Sequence, residues 1–232
     1  MRLGVGILLF ISTIWYGFSQ DTLSVSEETA MRSKSLIIDL GLNNFYKNPI
    51  GLGLKTEGSR GANIYLFHKV NPESEHVLFR IGFGLGLDNY SFKNDVNPIP
   101  RLDSTIFYKG NSVGNDSIEF VKSKISMNHF DVPVEVVFQS KNKSGAFKLA
   151  LGARVGWVFD VHTKRVSKVN GSKNTEKMKA DFNIQKMRYG LTARVMYSGF
   201  NFFFMHNLSP IFQRNRGPEL PNFMAGFSLM ID

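Results

Sequence analysis

The feature that most constrains this chain is the strict alternation in residues 77–90, VLFRIGFGLGLDNY. One set of alternate positions carries Val, Phe, Ile, Phe, Leu and Leu, whereas the other carries three glycines together with Arg80 and Asp88, between Leu78 and Tyr90 at its ends. Successive side chains of a β-strand point to opposite faces of the sheet, so this period predicts a strand. One face of that strand is bulky and apolar, and the other is small and ionic.

The same period continues from residue 34 to the end of the chain and predicts eight strands. The predicted strands are 34–45, 61–71, 76–92, 129–139, 145–163, 182–197, 200–208 and 222–232. Their connections alternate between long and short, and the short ones carry turn residues such as Asn, Pro, Ser and Gly. Such an arrangement is typical of an up-and-down barrel with its tight turns at one end. In the long connection 93–128, residues 117–128 are predicted to extend the fourth strand outward.

The placement of the charges decides which face of the barrel is outside. A soluble barrel would enclose all the large apolar rows, but the interior of an eight-stranded barrel is only just wide enough for its side chains. Glycines facing the lumen and large residues facing lipid remove that conflict, and a closed barrel satisfies its backbone hydrogen bonds in hydrocarbon. We therefore predict an all-β fold, a single eight-stranded antiparallel up-and-down transmembrane β-barrel. Aromatic residues at strand ends are expected to form interfacial girdles: Phe45, Tyr46, Tyr90, Phe92, Tyr197, Phe200 and Phe223.

The inward-facing positions of these strands carry acidic and basic residues in nearly equal number. They are Asp39, Arg80, Asp88, Asp131, Glu135, Lys148, Arg154, Asp160, Lys186, Arg188 and Arg194. Unpaired charges in a low-dielectric interior are costly, so we predict an ionic network across the barrel interior and no open pore. An ion path or gate is the functional alternative. Pro133 lies within a predicted strand and cannot donate to a ladder, so we expect a bulge or a local irregularity there.

The N-terminal segment predicts export from the cytoplasm. Residues 1–19 carry Arg2, an apolar run and small residues at 17 and 19, which predicts a cleaved signal peptide, with an uncleaved membrane anchor as the alternative. Residues 20–33 are a short polar lead-in, and 34–232 form the outer-membrane barrel domain. The formal net charge is +9. In an exported protein this excess favours lipid head groups or polysaccharide over nucleic acid as a partner.

No motif in the sequence predicts catalysis, a cofactor or a metal site. The chain has no cysteine, which excludes disulfides, thiolate zinc sites and cysteine nucleophiles. Asp160 and His162 form an Asp-x-His pair of the kind that omptin-type outer-membrane proteases use, but the second aspartate pair is missing. His129 and His206 lack the serine of the His-x-Ser dyad of deacylase barrels. The basic segment 163–179 is expected to be a solvated loop or a contact for anionic lipopolysaccharide or a partner protein.

One long segment resembles a known family. Residues 129–157, HFDVPVEVVFQSKNKSGAFKLALGARVGW, are similar to PorT-like small outer-membrane barrels, in which an acidic-x-Pro-apolar strand leads through a tight turn into a Gly-rich strand. Residues 59–67 and 82–92 resemble the early strands of that family. The resemblance implies an OmpA-like barrel in the outer membrane, where some members support type IX secretion and gliding. It implies no catalytic residues.

These observations predict a non-enzymatic integral outer-membrane barrel with long extracellular loops and a structural or interaction role. Its expected partners are outer-membrane lipid and lipopolysaccharide and other envelope or secretion-system proteins. Two alternatives remain at this point. One is an outer-membrane hydrolase, either a protease or a lipid deacylase, at the loop rim. The other is a soluble lipocalin-like carrier, which the placement of the charges disfavours.

Overall fold

The computed structural model describes residues 33–47, 52–71, 74–93, 96–109, 112–113, 116–140, 147–169 and 172–231. The predicted signal peptide, residues 1–19, and residues 20–32 of the predicted lead-in lie outside this range. From Ser33 onward the chain forms one compact unit. Among the described residues, no helix has the length and apolar character needed to cross a membrane.

The described residues are mainly strands. The strands are β1 (Lys34–Phe45), β2 (Arg60–Lys69), β3 (Val77–Phe92), β4 (Val96–Pro100), β5 (Thr105–Lys109), β6 (Ser112–Val113), β7 (Asp116–Gln139), β8 (Lys148–Val169), β9 (Ser172–Lys179), β10 (Met187–Tyr197), β11 (Phe200–Asn207) and β12 (Asn222–Ile231). Among the described residues, one 3-10 turn, Thr56–Gly58, lies between β1 and β2.

Eight of these strands form a closed antiparallel ring in the order β1, β2, β3, β7, β8, β10, β11, β12. β12 pairs back onto β1 in a continuous register from Leu36↔Ile231 to Phe45↔Asn222. A closed ring leaves no unpaired edge among its strands, which is the condition for a sheet to stand in hydrocarbon. The predicted eight-stranded antiparallel barrel is confirmed.

The large apolar rows cover the outside of the ring. Phe83, Leu151 and Trp157 are exposed on that surface, whereas Arg80 and Arg154 are buried within the ring. The period-2 pattern therefore assigned the two faces of these strands correctly. The outward rows provide the apolar band that lipid requires.

The two ends of the ring differ. The short connections β2–β3, β7–β8 and β10–β11 lie at one end, together with the start of β1 and the end of β12. The long connections lie at the other, which we call the outer end. There β7 and β8 continue past the ring, and β9 pairs with β8 from His162↔Lys179 to Val169↔Ser172. We call this three-stranded part, residues 116–128, 160–169 and 172–179, the outer extension.

The predicted connections contain more structure than their sequences indicated. Residues 117–128 extend β7 outward as predicted, but the predicted loop 164–181 holds the end of β8 and all of β9. The predicted strand 182–197 begins only at Met187, because Phe182 and Asn183 adopt positive φ values of 50° and 49° in a turn. Strands β4 and β5 form a separate hairpin that no period predicted.

Pro133 produces a local irregularity but no bulge. The pairing of β3 with β7 skips Val132 and Pro133 without a change of register, as expected for a residue without a backbone N–H. The nearest bulge between β7 and β8 lies between Asn128 and His129, where Phe159 on β8 is the extra residue. A bulge of this kind reverses which residues of a strand face inward.

Candidate functional site

The lumen contains two clusters of charged side chains, of which the inner cluster lies nearer the short connections. In the inner cluster Arg194 donates from Nε to Glu135 Oε1 at 2.9 Å and from Nη2 to Asp39 Oδ2 at 2.8 Å. Arg80 donates from Nε to Glu135 Oε2 at 2.9 Å. Ser228 adds a hydrogen bond to Asp39 Oδ1 at 2.6 Å. Two carboxylates and two guanidiniums thus cancel in charge.

The outer cluster lies nearer the long connections and has the same composition. Arg188 donates from Nε to Asp131 Oδ1 at 2.9 Å, and its Nη1 reaches Asp88 Oδ2 at 2.5 Å. Arg154 Nη1 lies 3.8 Å from Asp131 Oδ2. Tyr65 donates its hydroxyl to the same carboxylate oxygen at 2.9 Å. Charge patterning did not mark Tyr65 as a member of this cluster, because a tyrosine at an inward position carries no charge.

The clusters are deeply buried and electrically neutral. All eight charged members are at most 5% exposed. An unpaired charge at this depth would cost several kcal/mol, so each guanidinium needs a carboxylate within reach. The pairing across β1, β3, β7, β8 and β10 joins opposite walls of the ring and leaves the lumen filled by side chains.

Three of the predicted interior residues do not join these clusters. Asp160 lies in the outer extension, where its carboxylate contacts Lys179 Nζ at 2.5 Å. Lys186 precedes β10 and pairs with Asp181 at 2.7 Å in an exposed position. Lys148 lies at the start of β8, half-buried, and forms no ion pair with any residue that the structure describes.

Glycines on the inward faces provide the space that the charged side chains occupy. A Cβ at Gly86 would run into the guanidinium of Arg188, and one at Gly156 would run into the carboxylate of Asp131. Glycines and charged residues that alternate with the apolar row in the sequence therefore pack together, with Gly86 and Gly156 each leaving room for a charged side chain. Arg188 and Asp131 occupy volume that side chains at these two positions would otherwise fill.

An apolar cluster, which we call the cap, lies at the outer end of the ring. It consists of Phe45, Leu52, Leu54, Tyr90, Phe92, Val96, Ile125, Met127, Val158, Val161, Phe182, Ile184, Ile211, Phe212 and Leu220. Many of these residues come from connections, and a bridge between Ile184 and Phe212 ties two of the connections together. A cavity of about 20 Å³ lies between the cap and the outer cluster, room for about one water.

The cap corrects the predicted aromatic girdle. Phe45, Tyr90 and Phe92 are buried in the cap and do not lie at a membrane interface. Tyr90 and Phe92 have the same parity as inward-facing Asp88, so the period that places Asp88 in the lumen also places them inside. Of the other residues, Tyr46, Tyr197 and Phe200 are exposed on the outside of the ring and Phe223 is half-buried.

The outer extension carries a row of basic residues. Lys124 on β7 is paired directly with Lys164 on β8, which is paired directly with Lys177 on β9. Partial burial, with Lys122, Lys164 and Lys177 nearby, lowers the pKa of Lys124. Lys122 and Lys124 fall outside the basic segment 163–179 that the sequence singled out. Their spacing of two residues was the signal that could have placed both on one face of an extended strand.

Asp160 and His162 make contact, as their spacing suggested. His162 Nδ1 lies 2.9 Å from Asp160 Oδ2, and hydrogen bonds from Lys179 and His162 hold the pKa of Asp160 below its usual value. Ser126 is the cross-strand partner of His162, but its hydroxyl donates to Asn89 Oδ1 at 2.7 Å. Within the described part of the chain, no group of three or more His, Cys, Asp or Glu residues is placed to hold a metal ion.

Comparison with known proteins agrees with this architecture. The outer membrane protein beta-barrel domain family matches residues 16–213, most of the chain. No curated protein and no solved structure matches it. A closed ring with apolar outward rows is the architecture that this family description names. The chain therefore belongs to the outer membrane protein beta-barrel domain family and is located in the outer membrane.

Proposed function

We propose that this outer-membrane barrel has a non-enzymatic structural or interaction role and does not conduct solutes. The observation that carries the proposal is the filled lumen, where two neutral ion clusters are followed by the apolar cap. An eight-stranded ring has little spare interior, and here that interior is occupied by buried arginines and their partners. The surfaces left for a function are the outer extension and the long connections.

The finer part of the proposal concerns the process that the barrel supports. Residues 129–157, which resemble PorT-like barrels, include the ring portions of β7 and β8, and both strands continue from there into the outer extension. The resemblance supports type IX secretion as one process for this barrel, and the outer extension is the surface that would contact other envelope proteins. The long connections would then face the cell exterior.

Two measurements test the proposal. Purified barrel reconstituted in a planar bilayer is expected to give no stable conductance steps, and reproducible steps would contradict the non-conducting role. In cells, deletion of the gene is expected to trap type IX cargo in the periplasm. Cargo that still reaches the surface would remove the secretion role. Protease added to intact cells should cleave the long connections first, with outer-membrane lipoproteins of the periplasmic face as the control.

A hydrolase at the outer rim is the second candidate, and the 2.9 Å contact between His162 and Asp160 favours it. Its test is a lipase and protease assay on the folded barrel. Under the non-enzymatic proposal the wild type shows no activity. An activity that Asp160→Ala or His162→Ala abolishes, and Asp181→Ala leaves unchanged, would replace that proposal.

A further inference from the structure

The lysine row of the outer extension is a repeated like-charge contact. Lys124, Lys164 and Lys177 are direct cross-strand partners on three adjacent strands, so their side chains share one face of the sheet. Neighbouring strands are about 4.8 Å apart, which brings the side chain of Lys164 within contact range of Lys124 on one side and Lys177 on the other. Like charges placed directly opposite each other destabilise a sheet.

Further bases have the same parity and widen this face: Lys122, Lys168, Lys173 and Lys179. Asp160 neutralises Lys179. Among the described residues, no carboxylate forms an ion pair with Lys122, Lys124, Lys164 or Lys177. The centre of the face therefore keeps its positive charge.

This face continues the lipid-facing surface of the ring. Asn89 on β3 has the same parity as outward-facing Phe83, and it is the cross-strand partner of Ser126 on β7. Asn89 Oδ1 accepts hydrogen bonds from Ser126 Oγ at 2.7 Å and from Lys124 Nζ at 2.8 Å. These contacts place Lys124 on the same face as the outward apolar row, beyond Asn128 and Ser126. Lys124 lies beside the β1–β2 connection, whose Gly58 packs against Ser91.

Edge protection explains only some of these lysines. Among the described strands, β9 lies at an edge of the sheet, and lysines on such an edge prevent pairing with other chains, which accounts for Lys173, Lys177 and Lys179. Lys124 and Lys164 are not at an edge. At Lys124, β7 is paired with both β3 and β8, and at Lys164, β8 is paired with both β7 and β9. Neighbouring lysines repel one another in this row, and partial burial together with these lysines lowers the pKa of Lys124. A bound anion would relieve that repulsion.

We propose that Lys124, Lys164 and Lys177 bind the phosphate groups of lipids in the outer leaflet around the barrel. Lipid head groups lie beyond the hydrocarbon, and the lysine row lies beyond the apolar row on the same face, with two polar positions of β7 between them. Basic side chains near an anionic membrane surface each add to the attraction. This inference deepens the proposed interaction role and rests on it, because it requires the long connections to face the outer leaflet.

The test uses the full barrel in discs of neutral phosphatidylcholine. Diphosphorylated lipid A is the probe, and dephosphorylated lipid A is the comparison ligand. Wild type should prefer the phosphorylated form. Replacing all three lysines, Lys124→Gln, Lys164→Gln and Lys177→Gln, should weaken that binding at least about tenfold. Lys→Arg replacements at the same positions should retain binding.

A matched control removes the same charge from other outer connections by Lys47→Gln, Arg101→Gln and Arg214→Gln, all at exposed positions. Its affinity should stay within about twofold of wild type, because none of these residues lies on β7, β8 or β9. Equal losses in both triple variants, or no preference for the phosphorylated probe, would overturn the inference. Displacement by inorganic phosphate at the same concentration as lipid phosphate would instead identify a free-anion site.

The outcome can be separated from that of the proposed function. Heat-modifiable gel mobility verifies that each variant forms the closed barrel before binding is measured. Lipid binding by the purified protein depends neither on the secretion assay nor on a protein partner. If the purified wild type shows no preference for the phosphorylated lipid but deletion of the gene blocks secretion, only the lysine site is rejected. If the wild type shows that preference but deletion leaves secretion unaffected, only the secretion role is rejected.

Discussion

The ion clusters and the cap fill the same ring by opposite means. All eight clustered charges lie on ring strands at inward positions, whereas much of the cap comes from connections, as Phe182 and Phe212 do. Within the membrane a strand position faces either lipid or lumen, so a charge must find its partner inside. At the outer end, water reaches the far side of the connections, and an apolar core forms there as in a soluble protein.

The difference predicts two kinds of stability. Removing one charge from a cluster leaves its partners unpaired in a dry interior, so the change should lower the stability of the whole ring. Removing an apolar side chain from the cap should loosen the connections while the ring strands stay paired, because local opening is available there. The lumen is thus expected to respond globally and the cap locally.

The largest effect is expected for Arg194→Met, which leaves Asp39 and Glu135 without their shared guanidinium. The variant should lose about 3–5 kcal/mol of unfolding free energy, the range for breaking a buried pair. Urea unfolding from lipid vesicles measures this. Lys148→Met, at a predicted interior position without a described ion pair, is the control and should change by about 0.5 kcal/mol or less. Similar losses in the two variants would show that the clusters do not stabilise the ring.

The second effect is expected for Phe212→Ala in the cap. Phe212 is buried and packs edge-on against Phe107 with ring centroids 5.8 Å apart. Deleting its ring should cost about 3 kcal/mol locally. Hydrogen exchange should speed up at the cap amides of Gln185 and Gln213, which donate to backbone oxygens of neighbouring connections, but not at amides of β1. Phe200→Ala, at an exposed site, is the control. Faster exchange throughout the ring would remove the distinction between the two regions.

The smallest effect is expected for Asp160→Asn in the outer extension. Its partner Lys179 is largely exposed, so the pair should contribute less than about 1 kcal/mol. The folded-state pKa of Asp160 lies below its usual value, so this contribution is present at neutral pH and is lost as pH falls through that lowered pKa. Urea midpoints of wild type and variant should differ slightly at pH 7 and converge in acid. A gap that widens in acid would contradict this sign.

The sequence predicted the charged lumen better than the outer end. Period-2 alternation was enough to assign inward positions to residues such as Asp39 and Arg188, because a ring strand has only two faces. Asp160 was misplaced because the bulge at Phe159 reverses the parity of β8 beyond the ring. A bulge depends on the partner strand and leaves no period in the sequence.

Other features of the outer end had no local signal. β9 consists of exposed and largely polar residues, so no apolar row marked it as a strand, and its backbone pairing with β8 holds it in place. The cap could not be predicted, because its residues come together only through the paths that several connections take in the fold. Phe182 was predicted to begin a strand, yet it lies in a turn with its ring among residues far away in sequence.

The register between β1 and β12 bears on the order of events during membrane insertion. Ser228 and Asp39, which are hydrogen-bonded to each other and to Arg194, are 189 positions apart in the chain. Until the first and last strands meet, Arg194 lacks part of its counter-charge and two strand edges lack partners. An unclosed sheet would carry both defects into hydrocarbon at high cost. Closure is therefore expected to precede, or to accompany, passage of the ring into the bilayer.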